Sequence, residues 1–152
     1  MIEKPRMPPS TQRRFANGWG ELDYLCEKIH YWLHVRKQTA AAQRYKDRLT
    51  KVLSELPASN IAIIRAEGLA LLSEMKGEVA AAIVHRRREI HLMERLHKEA
   101  ESATESTRKF MLRTRSARDL RERRIILEAL RKKHAQLRKR FPVSSSSVPL
   151  SS

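Results

Sequence analysis

From Trp19 to Leu96, apolar residues return every third or fourth position. That rhythm puts them on one face of a helix and on both faces of a strand, so helices are what this stretch can build. Trp19, Leu22, Leu25, Ile29, Trp32 and Leu33 predict a first helix over about 18–36. Ala41, Tyr45, Leu49, Val52, Leu53 and Leu56 predict a second. Thr39 is placed to cap it through its hydroxyl, and Pro57 ends it. Ile61, Ile64, Leu69, Leu71, Leu72 and Met75 predict a third, with Ser59 or Asn60 as cap. After Gly77, the residues Val79, Ala82, Ile83, Ile90, Met93 and Leu96 predict a fourth. The links between them are a few residues long, which makes neighbouring helices antiparallel. Four Gly and six Pro leave few turns for a many-stranded fold. The expected class is all-α: stacked antiparallel helical hairpins over 18–56 and 60–98, as a short solenoid or bundle.

Residues 100–115 are ambiguous, because Ser102, Thr104, Ser106 and Thr107 weaken helix propensity while Phe110, Met111 and Leu112 ask for cover. The fourth helix either runs on or breaks near 102. Ser116 followed by Asp119 resembles a capping box. Leu120, Leu127, Leu130, His134, Leu137 and Phe141 then lie near a heptad seam, which predicts a long fifth helix over about 117–140. Residues 1–14 contain three Pro and residues 142–152 are Ser/Pro-rich; both are expected to be disordered. The helical part, 15–140, is expected to be one domain.

The net charge is +15, from 32 Lys plus Arg against 17 Asp plus Glu, and it is unevenly placed. Residues 1–14 carry +3, residues 15–107 only +1, and residues 108–140 carry +11. A near-neutral body with one basic segment points to a partner surface. Candidate polyanion contacts are Arg113, Arg115, Arg118, Arg121, Arg124, Arg131, Lys132, Lys133, Arg138, Lys139 and Arg140. Such a segment attracts nucleic-acid phosphate, with counterion release supplying affinity. An acidic protein, a membrane surface or plain solvation also fit it. Arg123 belongs to the same run. Arg86-Arg87-Arg88 is a second basic cluster, and three consecutive bases on a helix are expected to face solvent.

Ala70, Gly77-Glu78 and Ala82-Ile83 are spaced as in a tetratricopeptide (TPR) repeat, and the segment 66–92 resembles one. Ser73 and Arg86 stand where that repeat has large aromatics, and Glu89 where it has a later Ala. The first hairpin is similar more loosely, through Ala41 and Tyr45 with Leu25, Ile29 and Trp32. The resemblance implies a groove made by the first helix of each pair, holding Asp23, Cys26, Glu27, His30 and His34 from one. From the other it would hold Ile64, Glu67, Gly68, Leu71, Glu74 and Met75. It implies a non-catalytic adaptor or scaffold whose groove takes a protein partner, with a basic or amphipathic helix favoured by the acids. A generic antiparallel bundle is the plainer alternative. The runner-up function is a nucleic-acid-binding accessory protein working through 108–140.

Chemical motifs are sparse. Glu27…His30 and Glu94…His97 are Glu-x-x-His pairs, and His30 with His34 is an i,i+4 pair of the kind that can ligate metal. Two such Glu/His pairs in a chain this rich in acids are close to chance, so no metal site is expected. Cys26 lies in an apolar stripe, where a small buried residue is the usual outcome. No Walker loop, G-x-S-x-G or H-E-x-x-H occurs, so neither catalysis nor a cofactor is expected. One Cys, no long apolar run and no apolar leader point to a reducing intracellular compartment.

Overall fold

The structure is a computed structural model, and it describes residues 18–56, 62–114 and 116–140. The expectations for the two tails, for Pro57, for the Ser59 or Asn60 cap and for Arg115 lie outside the described residues. Among the described residues all regular structure is helical. In chain order the helices are α1 (Gly18–His30), α2 (Thr39–Gln43), α3 (Lys46–Glu55), α4 (Ala62–Lys76), α5 (Val79–Glu101), α6 (Glu105–Thr114) and α7 (Ala117–Arg140). A π-helical turn, Tyr31–Val35, continues α1 without a break.

Helix α4 is central. It packs on α1, α2 and α3 on one side and on α5 on the other, and α5 in turn carries α6 and α7. Two apolar clusters result. The first gathers Leu22, Leu25, Cys26 and Ile29 of α1 with Leu49, Val52 and Leu53 of α3 and Leu71 and Met75 of α4. The second joins Val79, Ile83, Ile90 and Met93 of α5 to Leu120 and Leu127 of α7. The Leu stripe of the last helix is therefore cover for α5, with Leu130 and Leu137 half-buried at its far end.

Small residues set the helix spacing. A Cβ on Gly68 would sit 3.3 Å from Leu22 Cδ1 and 3.3 Å from Leu53 Cδ2, so α4 approaches α1 and α3 closely there. Ala70 and Ala82 are fully buried where α4 meets α5. The turn between those helices is closed by Gly77 at φ +75°, with Glu78 N–H donating to the Ser73 carbonyl at 2.9 Å. This is the glycine-ended helix stop that the sequence suggests. The Ser116–Asp119 box also forms: Ser116 N–H donates to Asp119 Oδ2 at 2.9 Å, and Asp119 N–H to Ser116 Oγ at 3.2 Å.

Several local expectations are corrected. Thr39 does not cap a helix; it is the first helical residue, Gln38 holds the cap position, and no side chain bonds there. The single helix expected after it is two, divided by a turn at Arg44 and Tyr45. The first helix is α-helical only to His30. The ambiguous stretch resolves as a break at Ser102–Thr104, where the Ser102 hydroxyl donates to its own helix end at the Glu99 carbonyl. Leu56 is extended, φ −89° and ψ 138°, the backbone that a following proline favours.

A candidate functional site at a buried charge network

The seam between the two apolar clusters is filled by charge. Arg86 has no exposed surface, Glu89 has none, and Glu67 and Arg123 are 3% and 6% exposed. Their placement follows from spacing. Glu67 and Glu74 are seven apart on α4 and so share one face; Arg86 and Glu89 are three apart on α5 and do the same. Arg123 lies between Leu120 and Leu127 on the buried side of α7. His30 ends α1, and the π-helical turn carries His34 back beside it, ring centroids 5.3 Å apart.

The groups alternate in sign. Arg86 grips Glu74 with two parallel bonds, Nε to Oε2 at 2.7 Å and Nη2 to Oε1 at 2.8 Å. Its remaining nitrogen, Nη1, donates to Glu89 Oε1 at 2.7 Å. The other Glu89 oxygen accepts from Arg123 Nε at 3.2 Å, and Arg123 Nη2 donates to Glu67 Oε2 at 2.6 Å. Arg123 Nη1 reaches Glu122 and His30 Nε2, each at 3.4 Å. His34 Nε2–H donates to Glu74 Oε1 at 2.7 Å. Four helical segments (α1 with its π-turn, α4, α5 and α7) are thus tied through two guanidiniums, each planar fork meeting several carboxylate oxygens.

The protonation states follow. Burial alone would raise the Glu74 carboxyl, but the Arg86 charge and the bonds from Arg86 and His34 outweigh it and hold the pKa at about 2. Burial, then the Arg123 charge, lowers His30 to about 3, so it is neutral, with its Nε2 3.4 Å from Arg123 Nη1 and 3.5 Å from Glu122 Oε2. Its Nδ1 is buried and has no hydrogen-bond partner among the described residues. Burial and the Glu67 charge push Glu89 upward against Arg86 and Arg123. Three buried carboxyls face two guanidiniums. Both arginines are held more firmly protonated than usual, since the Glu charges around them exceed the cost of burial.

Of the residues assigned to a partner groove, Leu71 and Met75 lie in the first apolar cluster. Glu67 and Glu74 are spent on arginines. His30 and His34 line a cleft of about 380 Å³ between the π-turn and α7. Glu27 is exposed and Asp23 half-exposed. Cys26 is buried, with Sγ 3.8 Å from the Ile64 carbonyl. The open acidic groove is therefore not assembled: α5 and α7 bring cations onto its glutamates. The exposed Arg86 expected from the Arg86-Arg87-Arg88 run is corrected too. Only Arg87 and Arg88 face solvent, because Arg86 turns inward to Glu74.

The bases of α7 divide. Arg118, Arg124 and Arg131 pair with Glu122, Glu94 and Glu128. Arg121, Lys132, Lys133, Arg138, Lys139 and Arg140 are exposed, and among the described residues no carboxylate pairs with them. Of the side chain of Arg113 nothing is described, and Arg115 lies outside the described residues. Among the described residues no helix is long and apolar enough to cross a membrane. The Glu94 carboxylate of the second Glu-x-x-His pair is taken by Arg124 at 2.7 Å. Comparison with protein-family models, with curated proteins and with solved structures gives no match.

Proposed function

We propose that this chain is a non-catalytic helical scaffold that docks on the phosphate backbone of a nucleic acid through the exposed bases of α7. The observation that carries the reading is the contrast within the charge set. The buried arginines are neutralised inside the fold, whereas Arg121, Lys132, Lys133, Arg138, Lys139 and Arg140 stand in solvent with no carboxylate among the described residues to oppose them. A row of such side chains on one rigid helix offers cations at 1.5 Å rise per residue, and condensed counterions released from phosphate supply the affinity. Arg124 and Arg131, whose carboxylate partners are half-exposed, can exchange those partners for phosphate at little cost.

The scaffold part of the reading rests on the α4–α5 hairpin. Its small contacts at Ala70 and Ala82 and its Gly77 turn support a TPR-like hairpin, with a buried ion network in place of the aromatic packing of that repeat. A protein partner in an acidic groove has less support, because the glutamates that would attract it are already bonded to Arg86 and Arg123.

The test is fluorescence anisotropy of a labelled duplex of mixed sequence, titrated at a series of salt concentrations. Binding should weaken steeply with salt, with a slope of about 0.9 per phosphate contacted on a double-logarithmic plot. Replacing Arg121, Lys132, Arg138, Lys139 and Arg140 with Gln should flatten that slope. A salt-independent affinity, or a slope unmoved by the replacement, overturns the reading.

A further inference from the structure

Val35 and Ile125 are 57% and 69% exposed, and they line the same cleft, one from the π-turn and one from α7. Ile126, Ala129 and Leu130 continue the apolar lining. Branched aliphatics left to water inside a concavity mark a binding surface more than scattered exposure does. The volume, about 380 Å³, is that of a small-molecule site rather than of a helix-binding groove.

The polar lining selects the charge. Glu122 is the carboxylate there, and it is already satisfied by Arg118 at 3.5 Å and Arg123 at 3.4 Å. The His34 Nε2–H is committed to Glu74. His30 Nε2 lies against Arg123 and its Nδ1 is buried, which leaves the ammonium groups of Lys37 and Lys133, one on each wall, with no carboxylate partner among the described residues. The Lys37 backbone is fixed. Lys37 is a non-glycine residue at φ +54°, set where Arg36 N–H bonds the Tyr31 carbonyl and Gln38 N–H the Trp32 carbonyl, both at 2.8 Å. A lysine in the left-handed region is strained, and the surrounding backbone bonds must hold it there.

We propose that this cleft binds a small amphiphilic anion, a carboxylate on a short alkyl or aryl chain. Its tail lies on Val35, Ile125, Ile126 and Leu130, and its carboxylate meets Lys37 and Lys133. A second copy of the chain is opposed by the net charge of +15. A neutral ligand would leave the two ammonium groups unused.

The experiment is calorimetric titration of the full chain with sodium octanoate, and with 1-octanol as the uncharged probe of equal chain length. Octanoate should bind saturably and at least about tenfold more tightly than octanol, one ion pair's worth of preference. Ala129→Phe, at an exposed position inside the cleft, should abolish binding of both. Should that variant misfold, Ile125→Glu repels the anion from an exposed site and should do the same for octanoate. Lys37→Gln with Lys133→Gln should bring the two probes to equal affinity. Absence of saturable octanoate binding, equal affinity in the unaltered chain, binding that survives Ala129→Phe, or a preference that survives the double lysine change overturns the proposal. So does a concentration-dependent dimer that Ala129→Phe dissolves, since the cleft would then be an interface between copies.

Discussion

Arg86 and Glu74 face each other across the α4–α5 interface with two bonds, at 2.7 and 2.8 Å, and neither side chain is more than 5% exposed. The pair is costly to build and more costly to break. Desolvating both ions consumes most of the attraction between them, yet removing one leaves the other buried without compensation. Arg86→Met should therefore destabilise the fold by about 3–5 kcal/mol. Glu74→Gln keeps the shape but leaves Arg86 with Glu89 as its one bonded carboxylate, and should cost about half as much. In the double variant the losses should fall short of additivity by about 1 kcal/mol or more, measured by urea unfolding. Additive losses would mean that the two residues act separately.

Acid should loosen the fold in two stages. His30 has a folded pKa of about 3 against 6.5 when unfolded, so its share of stability is complete above 6.5 and declines as pH falls towards 3. Glu74, at about 2 against 4.5, adds a second decline below 4.5. Glu89 works in the opposite sense, because its raised pKa lets the folded state take a proton first and so gain stability as pH falls towards 4.5. The melting temperature should fall between pH 6.5 and 4.5 in the unaltered chain. In His30→Asn the fall over that window should be smaller, since only the decline from His85, whose burial also lowers its pKa, then opposes the Glu89 gain. Parallel profiles for the two proteins would remove His30 from the network.

The helices were legible because apolar periodicity reports burial directly: Leu22, Leu49, Leu71 and Met93, each picked out by spacing, are core residues. The ion network was less legible. Charged residues read as surface by default, and Arg86 sits in a run of three bases that looks solvated. The signal lay in the departures from the repeat pattern. Arg86 and Glu89 stand where the resemblance to a TPR repeat implies packing residues, and Arg123 interrupts the Leu120–Leu127 seam. A charge on a packing position, matched by opposite charges on facing helices, is a buried pair waiting for its partners. The division of α2 from α3 and the π-turn carried no such mark, since propensity and periodicity continue through both.

Leu127 and Ile125 separate docking from exposure on α7. Leu127 is 8% exposed in the second apolar cluster, whereas Ile125, two residues away, is 69% exposed. Leu127→Ala should cost about 2–5 kcal/mol by opening a cavity against α5. Ile125→Ala should change stability by less than about 0.5 kcal/mol. Thermal unfolding of both variants checks the orientation of the helix. Equal losses would mean that α7 is rotated about its axis from the placement described.

Gly77 and Gly68 make different demands, and alanine tells them apart. At Gly77 nothing lies within 4 Å of an added Cβ, so Gly77→Ala meets only the backbone cost of φ +75°, about 1 kcal/mol. At Gly68 the backbone is helical and alanine would gain about 1 kcal/mol of propensity. The new methyl, however, would press on Leu22 and Leu53 at 3.3 Å, and Leu22 has no exposed surface through which to yield. Overpacking of a closed core costs about 1–3 kcal/mol, so Gly68→Ala should be destabilising on balance. Shortening the opposing side chain gives the check. Leu22→Val relieves one of the two 3.3 Å contacts and leaves that with Leu53, so Gly68→Ala should cost less in that background than in the unaltered chain, measured as the difference in unfolding free energy. If Gly68→Ala stabilises the unaltered chain as well, α4 does not approach α1 as closely as 3.3 Å implies.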